Sequence, residues 1–187
     1  HIEPRLSFRY RLSPSSSIKG AYTQNYQYVH LASTSSVSLP TDLWVPSSSE
    51  IKPKFADQYA IGYFKNLNDN MYETSIEAYY KEMTNLLEYK EGVLPEDNTN
   101  SSSDGSFAFG NGDSYGIEVL LKKNKGKTTG WIGYTLSKTT KYFDEVNAGI
   151  SFPAKYDRRH DLSITATHKI SKKWTLSSVF VYATGNA

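Results

Sequence analysis

Hydrophobic and polar residues alternate strictly near the start of the chain. Arginine or serine alternates there with an apolar residue at every second position. The apolar residues are Leu6, Phe8, Tyr10 and Leu12. Because successive side chains of a β-strand point to opposite sides, this period of two predicts a strand with one apolar and one polar face. A turn rich in serine and proline follows, and a second strand is predicted over about residues 17–29.

The same hairpin unit recurs three more times along the chain. Each recurrence has two segments of strand character joined by a turn of three or four residues. The predicted pairs are 55–66 with 71–81, 115–123 with 128–139, and 161–170 with 174–183. Three much longer segments connect one hairpin to the next, and we expect them to be loops: 30–54, 82–114 and 140–160.

Short and long connections therefore alternate without exception. Long loops are uncommon inside compact soluble domains, whereas transmembrane barrels combine short periplasmic turns with long extracellular loops. The predicted strands also have about the length, 9–11 residues, that a tilted strand needs to cross a bilayer. We predict an all-β fold, an antiparallel up-and-down transmembrane β-barrel of about eight strands in four hairpins. A complete eight-stranded barrel with a structural or adhesive role and a soluble β ligand-binding domain are the alternatives.

Composition and charge exclude several other classes of protein. The net charge of +2 is too small for a nucleic-acid footprint, so we expect no nucleic-acid partner. The absence of cysteine from the sequence excludes disulfides, thiolate nucleophiles and cysteine-based zinc sites. The longest apolar runs fall far short of the roughly 18 residues of a membrane helix.

Several stretches resemble the barrel domain of TonB-dependent outer-membrane receptors, particularly the group with an N-terminal carboxypeptidase-regulatory-like domain. The stretches follow the order of that family and are spread over nearly the whole chain. They are IKPK at 51–54 with DQYAIGY at 57–63, SYGIEVLLKK at 114–123, GWIGYTLS at 130–137, YDRRHDLS at 156–163, and YATGN at 182–186.

This resemblance implies that residues 1–187 are a partial outer-membrane β-barrel domain, about eight consecutive strands of a larger barrel, with no plug domain or signal peptide among them. It implies a location in the outer membrane of Gram-negative type, in contact with outer-membrane lipid. The implied function is energy-driven uptake of a small solute, glycan or peptide. A TonB-type energy-transducing protein would drive the uptake through parts of the receptor outside this chain.

Candidate sites for catalysis are weak in this sequence. His160 stands between Arg159 and Asp161, and a carboxylate beside an imidazole can raise its pKa for acid–base chemistry. No nucleophile motif accompanies it, so we interpret these residues as a charged cluster where a long loop enters a strand. The other histidines lack metal-ligand spacing. We therefore expect no enzyme activity, no cofactor and no metal site.

Aromatic residues inside the polar long loops are the candidate ligand-binding residues: Trp44, Phe107, Phe109 and Tyr156. Their serine-, asparagine- and glycine-rich neighbours predict exposure, and exposed rings can stack on sugars or peptides. The alternative is that these rings pack one loop against another.

Overall fold

The computed structural model describes residues 2–32, 43–92 and 103–185, and most of this part of the chain is β-structure. None of its helices is long and apolar enough to span a membrane. Two short 3-10 helices occupy Ser103–Ser106 and Asn147–Gly149. The strands are β1 (Arg5–Ser13), β2 (Ser16–Gln27), β3 (Val29–Ala32), β4 (Leu43–Pro46), β5 (Lys54–Leu67), β6 (Tyr72–Tyr89), β7 (Phe107–Lys123), β8 (Thr128–Phe143), β9 (Phe152–Pro153), β10 (His160–Lys169) and β11 (Thr175–Ala183).

Eight long strands form one antiparallel sheet in the order β1-β2-β5-β6-β7-β8-β10-β11, and β9 pairs with the far end of β8. Each long strand lies beside its neighbours in sequence, which confirms the predicted up-and-down arrangement of four hairpins. In the described residues β1 pairs only with β2, and β11 only with β10. The sheet is therefore open, as a part of a larger barrel would be, and does not support the alternative of a complete eight-stranded barrel.

Short turns close one end of the sheet, which we call the turn end. Between β5 and β6, the backbone of Asn68, Asp69 and Asn70 has φ values of 50°, 51° and 62°. Asparagine and aspartate tolerate this left-handed conformation better than most residues, which is why they suit such a turn. Gly126, with φ of 103°, has the same role between β7 and β8. The short turns predicted from the sequence are confirmed.

The opposite end, which we call the loop end, differs from the prediction. The segments 30–54, 82–114 and 140–160 were expected to be loops, but strands β3, β4 and β9 lie within them. Strands β6, β7 and β8 also continue well into these segments. The second predicted strand, over about residues 17–29, is divided, because β2 ends at Gln27 and β3 begins at Val29.

Apolar packing explains these additional strands. Two small buried clusters hold the strand extensions together at the loop end. The hairpin cluster joins β3 and β4 to β6 and β7 and contains Ala32, Val45, Ile51, Leu87, Tyr89 and Phe107. The Phe143 cluster contains Leu86, Ala108 and Phe143, with Met83, Val146 and Phe152 packed against it.

Gly110 shows how tightly the Phe143 cluster is built. A Cβ atom at Gly110 would lie 2.2 Å from the backbone oxygen of Tyr142 and 2.5 Å from Cδ1 of Phe143. Both distances are shorter than van der Waals contact, so only glycine fits beneath the Phe143 ring. A β-bulge between Met83 and Leu86 on the neighbouring strand contains Asn85, whose side-chain amide donates a hydrogen bond to the Pro53 carbonyl at 3.0 Å.

Candidate functional site

Register gives the sheet two chemically different faces. On one of them, the apolar face, Ile61 is 58% exposed and Ile117 is 46% exposed. On the opposite side, the polar face, Ser17 and Ser75 are 2% and 8% exposed. Cross-strand pairing places on the apolar face Leu6, Phe8, Tyr10, Ile18, Tyr63, Ile76, Ala78, Val119, Leu121, Ile132, Leu136, Leu162, Ile164 and Phe180.

Exposed aliphatic side chains and buried serines are the reverse of what a soluble protein shows. A contiguous apolar surface that crosses every strand of the sheet is also far larger than soluble monomers leave in water. Lipid hydrocarbon is the solvent that such a face requires. The predicted division of β1, with Leu6 and Phe8 on one side and Ser7 and Arg9 on the other, is confirmed as a division between these faces.

Two adjacent rows of side chains mark where the apolar face ends toward the loop end. The tyrosine row consists of Tyr22, Tyr59, Tyr80 and Tyr115, paired directly across β2, β5, β6 and β7. The carboxylate row lies two residues nearer the loop end and consists of Asp57, Glu82 and Asp113.

Hydrogen bonds connect these two rows. The Tyr22 hydroxyl donates to Asp57 Oδ1 at 2.7 Å, and the Tyr80 hydroxyl donates to Glu82 Oε1 at 3.2 Å. Each ring therefore lies against the apolar band while its hydroxyl points toward charged groups. Tyrosines in membrane proteins adopt this arrangement at the boundary between hydrocarbon and water. The tyrosine row and the carboxylate row therefore mark the level of the hydrocarbon–water boundary on the sheet.

The polar face carries a row of charges that is separated by sign. We call it the charged row; its members are paired in sequence across the sheet as Arg9, Lys19, Gly62, Glu77, Glu118, Thr135 and Asp161. Cations stand on β1 and β2, and carboxylates stand on β6, β7 and β10. Opposed Glu77 and Glu118 repel each other, which proteins tolerate only where water screens the charges. The polar face is therefore suited to an aqueous interior.

Two close contacts shape this interior wall. The Lys19 ammonium lies 3.9 Å from the centre of the Phe64 ring, a cation–π contact. Near the turn end, Lys122 Nζ lies 3.4 Å from Glu73 Oε2 and pairs β7 with β6. Such a half-exposed pair contributes at most about 1 kcal/mol, so its main effect is to orient the two side chains.

Further ion pairs lie at the loop end. Lys141 contacts Glu88 and thereby ties β8 to β6, and Lys90 Nζ lies 2.9 Å from Glu145 Oε2. Lys54 is half-buried near the first pair, beyond the carboxylate row and so outside the membrane-spanning part of β5. Burial lowers the pKa of Lys54, and the charge of Lys141 lowers it further. At the loop end, ion pairs therefore connect neighbouring parts of the sheet.

The four aromatic residues predicted to bind ligand divide into two groups. Trp44, Phe109 and Tyr156 are 63%, 42% and 60% exposed, so their rings are available for contact. Phe107 is 2% exposed because it packs in the hairpin cluster, 5.1 Å from the ring of Tyr89 between centroids. The expectation that Phe107 is exposed is wrong, and the alternative of packing describes it. Binding by the other three residues stays a prediction.

His160 lies on the apolar face, where its ring contacts Tyr134. Its Nδ1 atom is 2.7 Å from the Tyr134 hydroxyl, and the two rings are stacked with centroids 6.2 Å apart. Asp161 points to the polar face, where it accepts a hydrogen bond from Ser163 at 3.4 Å. The imidazole and its neighbouring carboxylate are thus on opposite sides of the sheet. Within residues 2–32, 43–92 and 103–185, no group of three potential ligands could hold a metal ion.

His30 is a residue whose environment the sequence did not reveal. It is completely buried in the hairpin formed by β3 and β4, on the same side as Val45. Its Nε2 atom is 3.1 Å from Ser47 Oγ, and its Nδ1 atom has no hydrogen-bond partner among the described groups. Burial lowers the pKa of His30, and the nearby positive charge of Lys54 lowers it further. In the sequence, burial of His30 is indicated only by the short strand pattern in which His30 and Ala32 alternate with Val29 and Leu31.

Comparisons with known proteins agree with this architecture. A family model described as TonB dependent receptor-like, beta-barrel matches residues 1–187. The solved structure of the alcaligin outer membrane receptor FauA from Bordetella pertussis is similar over 97% of this chain, with a TM-score of 0.62 and 14% sequence identity. The chain spans 30% of the length of that receptor. No curated protein sequence matches the chain.

Acidification should loosen the packing of the β3–β4 hairpin. The packed hairpin favours neutral His30, so the detached hairpin takes up a proton that the packed one does not. Packing of the hairpin therefore becomes less favourable as the pH drops below about 6.5, the ordinary pKa of histidine. Hydrogen exchange of the β3 and β4 amides in the full-length protein, corrected for intrinsic rates, should show less protection at about pH 5 than at about pH 8.

Two variants separate His30 from other titrating groups. In His30→Gln an amide can still bond Ser47 but cannot titrate, so the pH dependence of protection should disappear. The matched control is His168→Gln, which changes an exposed histidine bonded to Thr128 at the turn end and should leave the dependence intact. Constant protection in the unaltered protein between the two pH values would show that His30 does not control this packing.

Proposed function

Because the chain belongs to the family of TonB-dependent receptor-like β-barrels, we propose that it forms part of the wall of a receptor that takes up a scarce solute by an energy-driven step. The membership confirms the family inferred from the sequence and locates the chain in the outer membrane of Gram-negative type. The role proposed for the whole receptor is transport, not catalysis.

The division of the sheet into two faces is the observation that carries this proposal. A sheet with aliphatic side chains on one side and the charged row on the other separates lipid from an aqueous interior. Transmembrane barrels with a polar interior have this construction. We propose that residues 1–187 contribute one sector of a larger barrel, whose other strands pair with the open edges of β1 and β11. Unpaired strand edges cannot remain in hydrocarbon.

The proposed partners follow from the same assignment. Outer-membrane lipid contacts the apolar face. A TonB-type energy-transducing protein drives uptake through parts of the receptor outside this chain. The solute is a small molecule, a glycan or a peptide, and it meets the receptor at the loop end, where Trp44, Phe109 and Tyr156 are exposed.

The loop end should face the cell exterior and the turn end the periplasm. The long connections leave at the loop end, and outer-membrane barrels carry their longer loops outside. Protease added to intact cells should cut the full-length receptor near residues 101–103 and spare the turn at residues 124–127. Cleavage at that turn alone would mean that the orientation is inverted.

Uptake should require both the receptor and the energy-transducing partner. We would compare the solutes that remain in spent medium after growth of three strains: the unaltered strain, one lacking the full-length receptor, and one lacking the TonB-type protein. The same solutes should persist in the medium of both mutants. Equal depletion by the strain without the TonB-type protein would contradict energy-driven uptake. Equal depletion by all three strains would contradict transport of those solutes altogether.

Replacing the three exposed aromatic residues together should weaken binding of the solutes identified in that comparison. Trp44→Ala, Phe109→Ala and Tyr156→Ala each remove a ring whose burial against a ligand contributes about 1–2 kcal/mol, so the triple variant should bind about tenfold more weakly or worse. Equilibrium binding to the purified full-length receptor measures this change, and heat-modifiable gel mobility checks that the barrel is folded.

Two control variants accompany the triple variant. Trp174→Ala removes an exposed ring at the turn end and should leave affinity unchanged. Phe107→Ala removes a buried ring and should lower stability by about 3–5 kcal/mol. Unaltered affinity in the folded triple variant would show that these rings do not form the binding site.

A further inference from the structure

Three lysines of the polar face lie at the loop end, each on a different strand. Lys54 begins β5, Lys81 lies on β6 and Lys141 lies on β8. Register places all three on the side that carries Glu77 and Glu118, and nearer the loop end than the charged row. We call these three residues the lysine patch.

The β-bulge in β6 adds one carboxylate, that of Glu88, to the lysine patch. Below the bulge the even-numbered residues of β6, such as Glu82, belong to the apolar face. Because the bulge shifts the phase of the strand, Glu88 lies opposite Ala108 on the polar face. There it contacts Lys141, and the side chains of Glu88 and Lys141 are only 20% and 22% exposed. This part of the patch is therefore largely withdrawn from water.

Positive charge remains in excess in the lysine patch. Three ammonium groups share the Glu88 carboxylate, and no carboxylate of the described residues lies within ion-pair distance of Lys54 or Lys81. Lys54 is half-buried, and its burial and the charge of Lys141 both lower its pKa, whereas Glu88 raises it by a smaller amount. An anion beside these lysines would be stabilised, because it would supply a countercharge that the described residues do not.

Small polar side chains lie between Lys81 and Lys141. The intervening strand, β7, carries Ser114 directly opposite Lys81, and Ser114 Oγ is 2.8 Å from Thr139 Oγ1 of β8. One of these hydroxyls donates to the other, so the accepting hydroxyl keeps a proton that it can donate to a ligand. Gly112, the next residue of β7 on this face, adds no side chain. The patch thus combines positive charge with a hydrogen-bond donor.

The surrounding charges limit an anion to this part of the wall. Nearer the turn end, the same face carries the opposed carboxylates of Glu77 and Glu118. On the other face of the sheet, the carboxylate row stands at the level of Lys81. Like charges repel an anion at both places, whereas the lysine patch attracts it. The favourable position is therefore on the aqueous side of the sheet at the loop end.

We propose that the lysine patch binds an anionic group, a carboxylate or a phosphate, of the solute that the receptor takes up. This role rests on the proposed function, since a solute must enter the barrel to meet the polar face. Lysine ammoniums act as point charges that accept the oxygens of either group. The solute is then an acidic small molecule, an acidic glycan or an acidic peptide rather than a neutral one.

Binding of three matched sugars to the purified full-length receptor tests the chemistry of the patch. The probes are glucuronate, glucose 6-phosphate and glucose, which share a hexose and differ in carrying a carboxylate, a phosphate or neither. At least one of the two anions should bind about tenfold more tightly than glucose or better, and the tighter of the two identifies the preferred group. The assay contains no energy-transducing protein, so a failure here is distinct from a failure of the proposed transport.

Variants locate the binding in the lysine patch. Lys54→Gln combined with Lys81→Gln leaves the ion pair of the patch intact and should weaken binding of the preferred anion about tenfold or more. Lys81→Arg keeps the charge and should keep the affinity. The matched control, Lys172→Gln with Lys173→Gln, removes the same charge from an exposed turn at the turn end and should leave binding unchanged. Heat-modifiable gel mobility checks folding, and Lys81→Gln alone replaces the double variant if that variant does not fold.

The charge of the transported solute gives a second test. Spent media of the three strains compared above are passed over an anion exchanger at pH 7. Solutes that only the unaltered strain removes should be found in the retained fraction. If those solutes pass through unretained, transport stands and the anionic solute class is wrong. Equal depletion by all three strains contradicts transport itself, and sugar binding then decides whether the patch is an anion site.

Three binding results would also overturn the proposal. Equal binding of glucose and the two anions would show that charge is not recognised. Unchanged affinity in the folded lysine variant would show that these lysines neutralise carboxylates elsewhere in the receptor rather than a solute. An equal loss in the control variant would show that overall charge, and not the lysine patch, attracts the anion.

Discussion

Successive side chains of a β-strand point to opposite sides, and in this chain the two sides meet different solvents. A slip of one residue between any two long strands would turn aliphatic side chains into the aqueous interior and charges into lipid. The pairing is accordingly unbroken along two rows that cross the sheet: the tyrosine row crosses four strands and the charged row crosses seven. Every feature of the candidate site depends on this register.

At the loop end, beyond the lipid boundary, the strands are stabilised by different interactions from those near the turn end. Between the turn end and the tyrosine row, the strands are held by backbone hydrogen bonds and by the lipid that covers their apolar face. At the loop end no lipid is available, and the strands bury their own small clusters around Phe107 and Phe143. Ion pairs such as Lys141 with Glu88 add lateral connections between strands there. Trp44 and Phe109 are consequently carried by strands β4 and β7, and Tyr156 lies in the turn between β9 and β10.

The sequence predicts the lower part of this structure well, because local pattern is sufficient there. The period of two in β1 identifies its faces, and the residues 68–70 identify a turn, without knowledge of any distant contact. The loop end was mispredicted because consecutive residues are buried there, so apolar and polar side chains do not alternate. Examples are the pairs Leu86–Leu87 and Phe107–Ala108.

Phe107 and His30 have surroundings that the sequence did not reveal, and the physical reason is the same for both. Polar neighbours made Phe107 look exposed, yet the residues that bury it belong to β3, β4 and β6, which are distant in sequence. The same holds for His30, buried by a hairpin whose pairing the pattern does not show.

The β-bulge at Asn85 separates two patterns of alternation within β6. Between Met83 and Leu86, two residues of β6 stand opposite one residue of β7, so the alternation above the bulge is out of phase with the alternation below it. Leu86 and Leu87 can therefore enter two different buried clusters above the bulge, while the residues below it keep the alternation that the membrane requires. A single strand thus presents two phases of the same pattern, one for lipid and one for its own packing.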